Sequence, residues 1–282
     1  MLLLLLAIFM KPAAAVAAVA HIVVVIEENH SANEIIGSDA APFINHVLVP
    51  RARVYTRARG VAHPSQPNYL ALFSGTTQGV RHDGAVEGAP LVTPNLAGAL
   101  RRAGADFIGY SEGLPKAGSL VMRAGAYARK HNPWSNWQSA TPSVWAITPA
   151  ANKPFSAFPS NFEDLPRVAF VVPDQNHDMH GTSALNFGPA LVRAGDSWLR
   201  EHLAAYAVWA PLHHSLLIIT WDEEDDISPF ASATVPLLVI GAGVVPGRDS
   251  RPVNHYDTLT TIARLAGAVP PGLAAAAHGL LP

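Results

Sequence analysis

His21-Ile22-Val23-Val24-Val25-Ile26-Glu27-Glu28-Asn29 and Leu216-Leu217-Ile218-Ile219-Thr220-Trp221-Asp222-Glu223-Glu224-Asp225-Asp226 follow one plan, an apolar, β-branched run that ends abruptly in acids and amides. Continuous runs of this kind suit strands buried on both faces, as in a parallel sheet. In open α/β sheets the ligand crevice lies just beyond the carboxyl ends of the strands. Two acidic clusters at two such ends therefore predict one carboxylate-rich pocket assembled from distant sequence. A pocket of that chemistry suits a metal-dependent hydrolase.

Strand and helix signals alternate through the rest of the chain. Val54-Tyr55, Phe107–Tyr110, Val168–Val172 and Val235–Ile240 read as strands. A helix is expected from about Pro67 to the glycine stop at Gly75, and another over Thr93–Ala103 with Pro94 near its start. Asp196–Tyr206 carries Trp198, Leu199 and Leu203 on one side, and Tyr256–Ala266 reads as the last helix. The stretch 111–160 is rich in Gly, Pro, Ser and aromatics without clear period. It predicts an elaborated loop region beside the site, with Trp134, Trp137 and Trp145 as candidate contacts for a lipid or nucleobase. The whole predicts an α/β fold, a mainly parallel central sheet flanked by helices on both faces, in a single domain over 21–282.

The chain has 282 residues, of which 49% are hydrophobic and 14% charged, enough for a sizeable core and unlike a disordered chain. With a formal net charge of -2 and no basic stripe, a nucleic-acid partner is not expected. Cysteine is absent, so any metal must be held by oxygen or by some of the 13 histidines. Residues 1–20 read as a signal peptide: Leu2–Met10 is a short apolar core and Ala13–Ala20 a small-residue stretch with A-x-A sites. A buried or frayed N-terminal helix is the alternative, and no positive charge precedes the apolar core. Lys11-Pro12 interrupts the run, so no integral membrane span is expected in the mature chain. Export to a periplasm or to the medium follows as the expectation.

Ser65, in His63-Pro64-Ser65-Gln66-Pro67-Asn68-Tyr69, precedes a helix start, where the positive dipole end and free backbone N–H groups favour an alkoxide and an incoming phosphate. A nucleophile and a plain helix cap are both compatible with that position. Glu28-Asn29 and Asp222-Glu223 offer hard oxygen ligands for a divalent cation, against the alternative of a turn start and a solvated loop. Asp225 and Asp226 are expected in solvent. Asp174-Gln175-Asn176-His177-Asp178-Met179-His180-Gly181 is dense in donors, with Asp178 and His180 favoured over Asp174 and His177. His255 stands just ahead of the last helix, within reach of the pocket or as a satisfied surface imidazole.

Taken in order, several segments resemble the phosphoesterase family that contains bacterial acid phosphatases and phospholipases C. They are Ile26–Ser31, His63–Tyr69 with Ser74-Gly75, Lys130–Trp134, Asp178–His180, Gly195–Leu199, Trp221–Glu223 and His255-Tyr256. Each is short, and the ordered set carries the specificity. The resemblance implies an alkaline-phosphatase-like fold, and Ser-x-Pro-Asn is similar to the Thr-x-Pro-Asn nucleophile segment of nucleotide pyrophosphatases. It further implies Ser65 as nucleophile and a divalent metal ion, of unspecified identity, on Glu28, Asn29, Asp222 and Glu223. His180 and His255 would act as acid-base groups, and Asn68, His63 and Asp178 would contact a small phosphate-ester substrate. Asp174 and His177 depart from the family pattern, and no C-terminal domain for lipid docking follows. The expected function is an acid phosphatase that hydrolyses monoesters through a phosphoseryl intermediate. A phosphodiesterase or phospholipase C, and a non-catalytic metal- or phosphate-binding protein, are its rivals.

Overall fold

Both quoted runs form central strands. The computed structural model describes residues 19–182, 188–224 and 232–281. Most of the segment read as a signal peptide, and Asp225 and Asp226, lie outside the described residues. β1 (Ile22–Glu27) is buried at every position and pairs in parallel with β5 (Val168–Val172) on one side and β6 (Leu216–Trp221) on the other. Beyond β5 the sheet continues in parallel through β3 (Phe107–Ser111) to the edge strand β4 (Asn152–Pro154). Beyond β6 it continues through β7 (Leu237–Gly241) and β2 (Arg53–Tyr55) to β8 (Gly247–Asp249), giving the order β8-β2-β7-β6-β1-β5-β3-β4. β7 is antiparallel to both neighbours, whereas every other pair is parallel. The carboxyl ends of β1, β3, β5 and β6 therefore share one edge, where the loops carrying Glu28, Glu112, Asp178 and Asp222 emerge.

Helices and 3-10 turns cover both faces, and β1, β5 and β6 are apolar without alternation for that reason. α1 (Ser65–Ser74) is buried at all ten positions, starts two residues earlier than Pro67 suggested, and ends on Gly75 in the left-handed conformation. Pro67 sits in the first turn, where its missing N–H costs nothing. At Gly75 a side chain would strike the carbonyl of Pro271, so the stop is steric as well as conformational. α2 (Leu96–Arg102) is shorter than expected because Asn95 caps it, accepting from Gly98 N–H. α3 (Pro189–Trp209) buries Trp198, Leu199 and Leu203, and α4 (His255–Leu265) begins in a capping box formed by Asn254 and Asp257.

The 111–160 stretch supplies β4 and a core rather than a ligand-binding aromatic surface. Trp134 and Trp137 are fully buried. Phe73, Phe107, Trp134 and Phe170 interlock with ring centroids 5.2–6.5 Å apart, and Trp134 lies so close to Gly109 that no side chain fits there. Asn152 accepts from Trp134 Nε1 at 2.9 Å, and the Thr93 carbonyl accepts from Trp137 Nε1 at 2.9 Å. Trp145 packs on Gly98 with the Arg102 guanidinium over its ring.

Candidate active site

Ser65 is the first residue of α1, preceded by Pro64 at the cap position, and its hydroxyl caps nothing. Its Oγ lies instead 3.1 Å from Glu28 Oε2, 3.1 Å from Glu223 Oε1 and 3.3 Å from Asn29 Oδ1, with Lys130 Nζ at 3.4 Å. A hydroxyl has one proton, so it serves only one of those three acceptors. The remaining lone pairs face one another in a site where Ser65 is 2% exposed. Asn29, in the left-handed conformation at φ 41, turns its N–H to Asp222 Oδ1 at 3.0 Å and its side-chain amide to Glu223 Oε1 at 3.3 Å. The main chain locks the three strand ends together: Glu28 N–H donates to the Asp178 carbonyl and Asp222 N–H to the Glu27 carbonyl.

Charge is unevenly distributed here. Burial opposes ionisation of Glu28, yet His131 at 3.2 Å and Lys130 at 4.0 Å outweigh it and hold Glu28 below the ordinary carboxylate range. Burial opposes the Lys130 charge too, but Glu28 and Asp83, the latter 2.7 Å away, carry its pKa up. Burial, the largest influence, holds the His131 pKa low against the opposing pull of Glu28. Burial and then the Glu28 charge push Asp222 and Asp178 well above the carboxylate range, and Glu223 up to about 7. Glu28 Oε1, Asp222 Oδ2 and Asp178 Oδ2 are buried without a partner. A crowd of buried, mutually repelling oxygens with orphaned lone pairs fits a hard divalent cation.

The predicted residues converge, with differences in detail. His63 Nδ1 contacts Glu223 Oε2 at 2.7 Å, and His63 is close to half exposed. Asn68 accepts from the N–H groups of Val61 and Ala62 and donates to the Ala62 carbonyl, with Glu223 Oε2 at 3.5 Å. Asp178 accepts from the N–H groups of His180 and Gly181. His180 borders a cavity of about 350 Å³ together with Lys130, Asp83 and Arg123, and its Nδ1 is buried without a partner. His255 Nε2 donates to the Asp222 main-chain carbonyl, and the ring is buried, which lowers its pKa. Asp174 and His177 form a separate group with Glu112, His177 Nδ1 lying 3.0 Å from Glu112 Oε2. The roles of Lys130, His131 and Asp83 escaped the sequence reading. The Lys130–Trp134 segment carried a signal for the first two, whereas the Arg81–Gly84 loop carries none for Asp83. Its carboxylate takes both the Lys130 ammonium and the Gln66 N–H, the second amide of α1.

Glu27 stands apart from this cage. Both of its carboxylate oxygens are buried without a hydrogen-bond partner. Burial first, then the charges of Asp178 and Glu112, hold its pKa well above the carboxylate range. The unfolded chain releases that proton near 4.3, so between the two values the folded state binds more protons. The contribution of Glu27 to stability is therefore fullest below about 4.3 and is lost as pH rises toward and through its raised folded value. Glu27→Gln is expected to match the parent at pH 4 and to be the more stable of the two at pH 7. Denaturant melts at the two pH values check this, and a loss at pH 7 would show an ionised, partnered carboxylate instead.

The sheet has solved counterparts. A protein in the alkaline phosphatase superfamily from Vibrio parahaemolyticus matches with a TM-score of 0.58 at 14% identity, over 88% of this chain and 66% of that one. The mainly parallel sheet covered by helices is thus an alkaline-phosphatase-like fold. More narrowly, the Phosphoesterase family model matches residues 57–268, and the chain belongs to that family. It is 42% identical over 245 residues to phosphatidylinositol-3-phosphatase of Mycobacterium tuberculosis, covering 86% of this chain and 75% of the relative. It is 25% identical over 230 residues to an acid phosphatase of Aspergillus fumigatus, covering 77% of this chain and 48% of that enzyme. The protein is accordingly an enzyme that hydrolyses phosphate esters.

Proposed function

We propose that this chain is an exported, metal-dependent phosphatase that cleaves phosphate monoesters through a phosphoseryl intermediate on Ser65. The observation that carries the reading is the set of three oxygen acceptors within 3.3 Å of a hydroxyl that owns one proton. A divalent cation held by Glu28, Asn29, Asp222 and Glu223 would supply Lewis-acid stabilisation of the Ser65 alkoxide and of phosphoryl oxygens. Lys130, tethered by Asp83, offers its ammonium to the phosphoryl group beside Ser65. Ser65 passes its proton to Glu223, 3.1 Å away, and Oγ bonds to phosphorus as the ester P–O bond breaks. His180, whose Nδ1 has no other partner, gives a proton to the departing alkoxide. Water then gives a proton to His180 and attacks phosphorus, the Oγ–P bond breaks, Oγ takes its proton back from Glu223, and phosphate leaves. His255 and Asn68 act as positioning residues, the first on the Asp222 main chain and the second on Glu223 and the 60–62 loop. The name of the 42% identical relative supports a phosphorylated inositol lipid as one substrate, and the apolar Leu2–Met10 core supports export.

Chelation should abolish p-nitrophenyl phosphate hydrolysis and a divalent metal should restore it, with little turnover of the bis ester. Acid quenching during turnover should trap phosphate on the peptide that contains Ser65. Full activity in protein shown to be metal-free, or a trapped phosphate elsewhere, would defeat the mechanism.

A further inference from the structure

Most large apolar side chains exposed on this protein stand singly, as Val92, Leu212, Val245 and Val269 do. Scattered residues of that kind need no explanation. Leu120, Val121 and Met122 differ: they are consecutive, they are 41%, 42% and 43% exposed, and Met122 lines the cavity that also holds Lys130 and His180. Their backbone is pinned from both sides. Arg129 N–H donates to the Met122 carbonyl at 3.0 Å, Arg129 Nη1 to the Leu120 carbonyl at 3.2 Å, and Asn152 Nδ2 to the Ser119 carbonyl at 3.2 Å. The next residues, Arg123-Ala124, pair with Tyr127-Ala128 in a small hairpin. The fold thus fixes the backbone of three consecutive apolar residues that each stay about two-fifths exposed.

The sequence around this tip is basic, and the one acid lining the adjoining cavity, Asp83, is paired with Lys130. Between Glu112 and Glu163 the sequence contains Lys116, Arg123, Arg129, Lys130 and Lys153 and no acidic residue, although the whole chain carries a net charge of -2. Lys116 and Arg123 are exposed on either side of the tip. Apolar side chains that enter the headgroup and acyl boundary, flanked by cations that meet anionic headgroups, are the two components of interfacial membrane binding. We propose that Leu120–Val121–Met122, flanked by Lys116 and Arg123, is a docking surface for an anionic lipid bilayer that sets the mouth of the catalytic cavity against the membrane. This rests on the phosphatase reading only in that the tip borders the same cavity. Docked in this way, the cavity lined by Lys130 and His180 would face a phosphate carried on a lipid headgroup.

The test uses the full mature chain, phosphatidylcholine vesicles, and vesicles with added phosphatidylserine. The parent should cosediment with the anionic vesicles, weakly with phosphatidylcholine alone, and less as salt rises. Leu120→Ser with Val121→Ser should weaken vesicle binding at least tenfold while leaving p-nitrophenyl phosphate turnover within twofold. Leu120→Trp should bind at least as well and show a blue shift of its added indole emission with anionic vesicles. Four results would each overturn the proposal: a parent that stays in the supernatant, a double variant that binds as well as the parent, equal binding to both vesicle types, or no emission shift in the Leu120→Trp variant. Loss of soluble-ester turnover in the parent would instead count against the catalytic assignment and leaves the vesicle measurements intact.

Discussion

Ser65→Ala is expected to lower turnover of a soluble phosphate ester by on the order of 10⁴-fold or more, because the atom that would bond to phosphorus is gone. Stability should move by no more than about 1 kcal/mol, since the hydroxyl caps no helix and its single proton satisfies only one of three neighbours. The metal-loaded variant should still bind phosphate, because Lys130 and the ligands that would hold the cation remain. Steady-state assays, thermal melts and phosphate titration separate these expectations. Residual activity within a hundredfold of the parent would move the nucleophile to another group.

Asp222→Asn is expected to weaken divalent metal binding by on the order of 100-fold and to lower the rate with it. The same change should leave the metal-free protein as stable as the parent or more so. Asp222 is buried among like charges, one of its oxygens has no partner, and burial together with the Glu28 charge already disfavours its ionised form. A neutral amide of the same shape relieves that repulsion. Weaker metal binding with undiminished apo stability is the signature of a ligand. A structural carboxylate would lose stability in both states. Metal analysis and melts with and without a chelator decide between them, and full metal occupancy in the variant would remove Asp222 from the site.

The central sheet was legible because its strands are buried on both faces, which leaves no polar alternation in Ile22–Ile26, Val168–Val172 or Leu216–Trp221. The convergence of Glu28 and Asp222 followed from that alone, since parallel neighbours present their carboxyl ends together. Strand direction was not legible: Leu237–Gly241 is as apolar as the others yet runs the opposite way, because direction is set by connections and not by composition. Trp134 and Trp137 were misplaced on a ligand-facing surface for a related reason. Aromatics in a Gly- and Pro-rich stretch look exposed until a glycine at position 109 makes room for one of them in the core. Asp83 was invisible because an aspartate in a polar loop has no local mark of the lysine it will meet. The Leu120–Met122 tip, in contrast, stands in plain sequence, but only the structure shows that it stays partly exposed.

The position of β1 also bears on how the chain reaches this form. Its Ile22–Glu27 segment is made well before both of its pairing partners, Val168–Val172 and Leu216–Trp221. Until residue 221 has been synthesised, the strand that will lie at the middle of the sheet has at least one open edge. Contacts of such long sequence separation form slowly, and an apolar strand with open edges is prone to pair wrongly. The sheet therefore cannot close on a partly made chain, and the catalytic cage, which is strung across β1, β5 and β6, is among the last things to exist. A polypeptide built in this order cannot set Glu28 beside Asp222 until β1 and β6 are both present.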